Sequence, residues 1–322
     1  MYNGRVLDDA QLTEMEQQAC DLVRGAGAIL LRYFDQPLSI DYKSANNRNP
    51  VTDADHAADE YLRGELSRRF PDHGIVTEET ESENDDPKEI TWVVDPLDGT
   101  TNFLHGLPMF ACMVCALERG APVAGAIYIP HIGSSDGRVI HTRRGGGAFQ
   151  DDVLLTLETS DPPRRMASVP GYFLRMFTHR RNMRRRLGDL RNTGSAGYEM
   201  AMTARGVFDY TVFNGPWVWD LATGNLAVQE AGGLVMLRNA RRKEWTPFET
   251  FASSPGVSPR PSELRRWRGS LVLGRRETVE RITFGVSPKT YPIRQLRARV
   301  AKVFGKGPPT EAAPAAPPRQ AQ

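Results

Sequence analysis

Apolar residues recur at three- and four-residue steps over 9–34, where Leu12, Met15, Ala19, Leu22, Ala26, Ile29 and Tyr33 fall on one face. That spacing predicts an amphipathic helix. A short strand is expected at Leu38–Lys43, then a polar loop containing Asn46, Asn47 and Asn49-Pro50. Thr52 and Asp53 can cap a second helix running to about Phe70, which Pro71-Asp72-His73-Gly74 ends as a turn. Ile75-Val76 reads as a strand leading into Glu78-Glu79. The acidic, aperiodic residues 80–89 read as a mobile loop, and Thr91–Val94 as a strand ending at Asp95. Paired strands are expected at Phe110–Leu117 and Pro122–Ile129, followed by Val139–Arg143 and Ala148–Gln150.

After Asp161-Pro162-Pro163 the pattern changes. Helical, Arg-rich segments alternate with short strands near Met166–Val169, Phe208–Val212 and Leu234–Leu237. This order predicts an α/β chain, with an α+β N-terminal half over 1–158 and an α/β C-terminal half over 159–290 that completes the site. Residues 291–322 form a third region. Ile293, Leu296, Val300 and Phe304 make an apolar stripe among arginines, expected to pack on its own domain, and the Pro/Ala-rich residues 307–322 are expected to be disordered.

Composition adds mainly exclusions. Hydrophobic residues make up 40% and charged residues 25% of 322, the balance of a soluble globular protein. A formal charge of +2 gives no global field for nucleic acid. No apolar run reaches the length of a membrane span, and Met1-Tyr2-Asn3-Gly4 does not open a secretory signal, so a cytoplasmic location is expected. Three cysteines make no disulfide framework. Cys112 and Cys115 have an odd spacing on a strand, which puts their thiols on opposite faces as core residues. Arg180, Arg181, Arg184, Arg185 and Arg186 crowd one segment and read as a solvated helix face.

The chemistry concentrates in Trp92-Val-Val-Asp95-Pro-Leu-Asp98-Gly-Thr100-Thr101-Asn-Phe103. Two carboxylates three residues apart across a proline-containing turn can point at one spot, and their repulsion is costly unless a cation lies between them. Oxygen donors without His or Cys favour Mg²⁺ or Mn²⁺ over zinc. Gly99-Thr100-Thr101 can open a helix whose N–H groups face an anion. Adjacent cation and anion sites suit metal-assisted phosphoryl transfer. Phosphatases with an aspartyl nucleophile separate their two aspartates by one residue; here Pro96 and Leu97 both intervene, which argues against that route.

The segment Asp95–Phe103 resembles the central metal-binding signature of the inositol monophosphatase-like family, magnesium-dependent and lithium-sensitive phosphatases. Trp219-Asp220-Leu-Ala-Thr-Gly224 followed by Glu230-Ala-Gly-Gly233 is similar to its second signature. Asn49-Pro-Val-Thr52-Asp-Ala-Asp55 and Gly74-Ile-Val-Thr-Glu78-Glu79 resemble two further family segments, so the likeness spans residues 10–285. It implies a layered αβαβα sandwich and two or three Mg²⁺ ions held by Glu78, Asp95, the Leu97 carbonyl, Asp98 and Asp220. It implies that Thr100, hydrogen-bonded to Asp55, orients a water with Glu78 beside it, and that Gly99 and Thr100 amides hold the phosphate. Gly194 and Ser195 would line the substrate side with Asp220, Lys43 would lie near the site, and the protein would be a homodimer acting on a small phosphorylated metabolite.

Inositol-cleaving members carry an acid before the Trp-Asp signature where this chain has Phe213. An apolar ring cannot accept hydroxyl protons, which argues against inositol phosphate itself and leaves Asn214 or Trp217 to meet the leaving group. Sugar phosphates, nucleoside bisphosphates, histidinol phosphate and fructose bisphosphate stay open. So does a non-catalytic module that binds phosphate or a partner on the same fold.

Overall fold

The structure, a computed structural model, describes residues 7–34, 36, 40–42, 50–82, 84–131, 136–157, 165–173, 177–179, 187–238 and 244–288. Lys43, the boundary at 158/159, Arg180–Arg186 and the tail from 291 lie outside the described residues.

Helix α1 (Asp9–Tyr33) opens with a reciprocal cap, in which Asp8 accepts from Gln11 N and Gln11 accepts from Asp8 N. After the hairpin β1 (Ile40–Tyr42) and β2 (Pro50–Thr52), α2 (Asp53–Arg69) is capped by Thr52. Strands β3 (Gly74–Thr77) and β4 (Ile90–Asp98) pair in parallel. The short α3 (Thr100–Leu104) leads to β5 (Ala111–Glu118), β6 (Ala121–Ile129), β7 (Arg138–Arg143), β8 (Gly147–Gln150) and β9 (Val153–Leu154). These run antiparallel and complete a seven-stranded sheet in sequence order.

The second sheet has six strands and is not in sequence order. It contains β10 (Met166–Ser168), β12 (Asp189–Arg191), β13 (Tyr210–Asn214), β14 (Leu234–Arg238), β15 (Trp245–Pro247) and β16 (Ser270–Gly274), in the order β12-β10-β13-β16-β14-β15. A separate pair joins β11 (Phe177–His179) and β17 (Val286–Pro288). Helices α4 (Ala196–Ala204), α5 (Val218–Glu230), α6 (Pro261–Arg266) and α7 (Arg276–Gly285) complete the described elements.

Packing stacks these into α1/α2, the large sheet, α4/α5, the second sheet, and α7, an αβαβα sandwich. Alternation along β5 links the sequence to the layers. Cys112, Val114 and Ala116 face α1 and α2, whereas Ala111, Met113, Cys115 and Leu117 face α4 and α5. The two thiols thus lie on opposite faces, buried in different cores, as their spacing predicts. Both faces of this central sheet are covered, so its strands are almost continuously apolar.

The acidic 80–89 segment, expected to be a mobile loop, is tied at several points. Asp85 accepts from Ser262 N at 2.7 Å and Ser262 Oγ at 2.8 Å, at the start of α6. Thr80 Oγ1 donates to Asp59 at 2.7 Å, and the Arg265 guanidinium donates to the carbonyls of Thr77 and Thr80. The sequence shows the acids but not the distant helix that engages them.

Helix α1 is pinned to β7 by His141. Its Nδ1 lies 2.7 Å from Glu16 and its Nε2 lies 2.7 Å from the Asp151 carbonyl, so both ring nitrogens face acceptors. Burial disfavours the charged ring, but hydrogen bonds with Cys20 and Glu16 outweigh it and push the pKa up to about 10. A raised pKa adds stability that is complete below the unfolded value of about 6.5 and is lost as pH rises through the folded one. Thermal melts should therefore lose several degrees between pH 6.5 and 10, and His141→Gln should flatten that dependence; a wild-type profile as flat as the variant's would refute the linkage.

Candidate active site

The site begins with a break in strand register. Along β4, Asp95 pairs with Met113 and Asp98 pairs with Ala111, so three steps on β4 match two on β5. In a regular strand residues three apart face opposite sides. The bulge at Pro96-Leu97 inserts one residue and returns Asp98 to the side of Asp95. Their partners Met113 and Ala111 both face α4 and α5, so both carboxylates are delivered to that inner layer. The turn expected between them is thus a bulge inside a longer strand.

Asp95 is 1% exposed, and neither of its carboxylate oxygens has a hydrogen-bond partner among the described residues. Burial raises its pKa well above the usual range, and the charges of Glu78, Asp98, Asp220 and Glu79 raise it further. Asp98 is pushed up to about 6 by burial, against hydrogen bonds from Ser195, Gly197 and Ala196 that lower it. Asp220 is raised by burial and by the Asp98 charge, while the Trp217 amide lowers it. Carboxylates from β4 and α5 and from the end of β3 therefore share one field, which unpaired buried anions do not sustain.

Several neighbouring groups fix the set. Ser195, the N-cap of α4, donates its hydroxyl to Asp98 at 2.5 Å, and Gly197 N donates to the same oxygen at 2.7 Å. Asp220 occupies the third position of α5 and accepts from Trp217 N at 2.7 Å. Asp55 accepts from Thr52 N at 2.8 Å on one oxygen, and from the Thr100 hydroxyl at 3.2 Å on the other. Thr100 also lies 3.2 Å from the Leu97 carbonyl. Asp55 is thus both a helix-cap residue and the partner of Thr100.

Gly99 permits this close assembly. Its φ is +89°, and a Cβ there would lie 3.0 Å from Ser195 Cβ and 3.1 Å from the Met109 carbonyl. Gly194 (φ +81°) precedes Ser195, and Asn102 locks the two segments together by donating to the carbonyls of Met109 at 2.6 Å and Thr193 at 2.7 Å. Asn102 stands inside the central motif, yet only the fold reveals this bridging role.

Another group the sequence leaves unassigned is a column of rings and cations. Trp217 and Trp219 stack at 5.1 Å and 10°, with Arg268 over Trp217 and Arg265 over Trp219. Arg265 also holds the end of β3 that carries Glu78, while Trp217 caps the helix that carries Asp220. The alternating Trp217-Val218-Trp219 is its only trace in the sequence.

The donor set is all oxygen, and its most buried member has both oxygens unpaired; this fits a hard divalent cation such as Mg²⁺. Among the described residues no three His, Cys, Asp or Glu side chains converge tightly enough to form a finished cage.

Comparison with known proteins agrees with this geometry. Residues 11–266 match the inositol monophosphatase family. The chain is 34% identical over 220 residues to an inositol-1-monophosphatase of Mesorhizobium japonicum, covering 65% of this chain and 80% of the relative. It is 30% identical over 245 residues to the Nus factor SuhB of Pasteurella multocida, covering 73% and 89%. The crystal structure of the extragenic suppressor protein suhB from Bartonella henselae superposes with a TM-score of 0.64 at 26% identity, covering 83% of this chain and 96% of that one.

A raised carboxyl pKa costs stability as pH climbs above the unfolded value of about 4. In EDTA, Asp95→Asn should therefore melt above wild type at pH 8, with the gap closing toward pH 4. Mg²⁺ should raise the wild-type midpoint and leave the variant's unchanged. A variant that melts lower at pH 8 in EDTA would show that no such repulsion is stored.

Proposed function

The chain belongs to the inositol monophosphatase family of phosphatases, and on that premise we propose that it is a Mg²⁺-dependent phosphomonoesterase hydrolysing a small phosphorylated metabolite with water. The observation that carries this reading is Asp95: a buried carboxylate with both oxygens unpaired, among four other acids, beside a hydroxyl aligned by a second carboxylate.

In this reading Glu78, Asp95, the Leu97 carbonyl, Asp98 and Asp220 would hold two or three ions. When bound, the ions supply positive charge to the phosphate oxygens and lower the pKa of the attacking water.

The chain's own groups do the rest. Thr100 Oγ1 donates to Asp55 Oδ1, which leaves the Thr100 oxygen free to accept a hydrogen bond from water and hold that water in line. Asp55 fixes the direction of that hydroxyl, and Glu78 flanks the same water. The Gly99 and Thr100 amides cradle the phosphate, while Gly194, Ser195 and Asp220 face the alcohol. The water oxygen–phosphorus bond forms, the ester P–O bond breaks, and a proton from water ends on the departing alcohol.

The proposal extends to a homodimer, as the resemblance implies, in a reducing, cytoplasmic compartment, which three free cysteines support. No helix of the described residues is long and apolar enough to cross a membrane.

Purified protein should release phosphate from small phosphomonoesters only with Mg²⁺, and lithium should inhibit it. Thr100→Ala should lower kcat by about 10²-fold or more with a smaller change in KM, because the hydroxyl acts on the water rather than on the ester. A Mg²⁺-independent activity, or full activity in Thr100→Ala, would contradict the mechanism.

A further inference from the structure

Glu78 follows β3 in a turn that is held from several sides. Its own N–H donates to the Val94 carbonyl at 3.2 Å, which continues the pairing with β4. The Glu79 and Thr80 N–H groups donate to Thr77 Oγ1 at 3.1 and 3.0 Å. The carbonyls of Thr77 and Thr80, which bracket the acid pair, both accept from one guanidinium nitrogen of Arg265. The N–H side of the turn is thus closed locally, and the carbonyl side by a residue 188 positions along the chain.

Arg265 reaches the turn from a rigid base. It lies in α6, whose Leu264 is fully buried in the main core. Its guanidinium also lies over Trp219, 5.4 Å from the ring centroid. Trp219 stacks on Trp217, whose N–H donates to Asp220. One side chain therefore touches both the turn of Glu78 and the first turn of the helix that carries Asp220.

A cation in this place has two conceivable effects on a metal site, and they differ in sign. Burial lowers the Arg265 pKa, while the charges of Glu81, Asp59, Glu78 and Glu79 favour its charged form. Acting as charge alone, it would compete with a metal ion for those acids, and its removal would tighten metal binding. Acting as a clamp, it keeps mutually repelling acids from drawing apart, and its removal would weaken binding. Among the described residues its hydrogen bonds go to carbonyls and not to the carboxylates beside it, which is the arrangement of a clamp.

We propose that Arg265 is a positioning residue that sets the affinity of the acidic cluster for its divalent cation, by fixing the Glu78 turn relative to Asp220. The inference rests on the reading of that cluster as a Mg²⁺ site. It concerns how tightly the ion is held, not the hydrolytic step, because Arg265 acts through the backbone around Glu78 and through the tryptophans before Asp220.

The test is a calorimetric titration of metal-free protein with Mg²⁺, without substrate, for wild type, Arg265→Met, Arg265→Lys and Asp85→Ala. Methionine can still pack on Trp219 but has no donor; lysine keeps the charge but falls one bond short of the carbonyls. Both should weaken Mg²⁺ binding, Arg265→Met by about tenfold or more. Asp85→Ala removes the second tie between the 80–89 segment and α6 and should leave the affinity unchanged. The Mg²⁺ concentration for half-maximal phosphate release should rise in step in the Arg265 variants, with kcat at saturating Mg²⁺ preserved. A folded Arg265→Met that binds Mg²⁺ as tightly as wild type, or more tightly, overturns the inference. Equal weakening in Asp85→Ala also overturns it, since any loosening of the segment would then suffice. So does a loss of kcat at an unshifted Mg²⁺ requirement. If Arg265→Met does not fold, Arg265→Lys decides, and wild-type affinity in that variant overturns the inference. If wild type itself binds no Mg²⁺, the metal reading falls and the inference with it.

Discussion

Mutual repulsion among buried carboxylates is the constraint around which this structure is arranged. Asp95 has no hydrogen-bond donor among the described residues and feels Glu78, Asp98, Asp220 and Glu79. A fold that keeps such a group sacrifices stability at that point, and the surrounding layers must supply it. They do so with cores on both faces of the central sheet, one under α1 and α2 and one under α4 and α5. In the proposed reading a cation would convert that repulsion into binding energy.

Each layer brings one part of the cluster. The bulge in β4 turns Asp95 and Asp98 to the same side. Helix α4 offers Ser195 and Gly197 to Asp98, and helix α5 carries Asp220 in its first turn. The Arg265 contact with the end of β3 and the stacked tryptophans join the first sheet to α5 across the mouth of the site. Glu78 and Asp220, far apart in sequence, are thus connected through Arg265, Trp219 and Trp217.

Much of this was legible in the chain. Helical periodicity places α1 and α2 to within a residue or two, and Thr52 caps where its type and position predict. The Asp95–Phe103 run announces the acidic cluster because two aspartates, a glycine and two hydroxyls in such a short span have little structural use elsewhere. The parity of Cys112 and Cys115 gives their opposite faces. Less legible were features that depend on distant partners. The bulge follows from pairing with β5, the anchoring of 80–89 depends on Ser262 and Arg265, and Asn102 bridges to Thr193. The cleft beside Asp220 was visible only in part, as Phe213 standing where an acid was expected, because Pro170 and Tyr172, which also line it, lie far away in the sequence.

The central claim is that the Asp95 cluster is a divalent-cation site. Crystals grown with Mn²⁺ and measured near its absorption edge test it directly. The account predicts an anomalous peak within about 2.3 Å of an Asp95 carboxylate oxygen, with Asp98, Asp220 or Glu78 completing the coordination. A crystal saturated with Mn²⁺ that shows no peak at Asp95, or whose peaks lie only elsewhere, would contradict it.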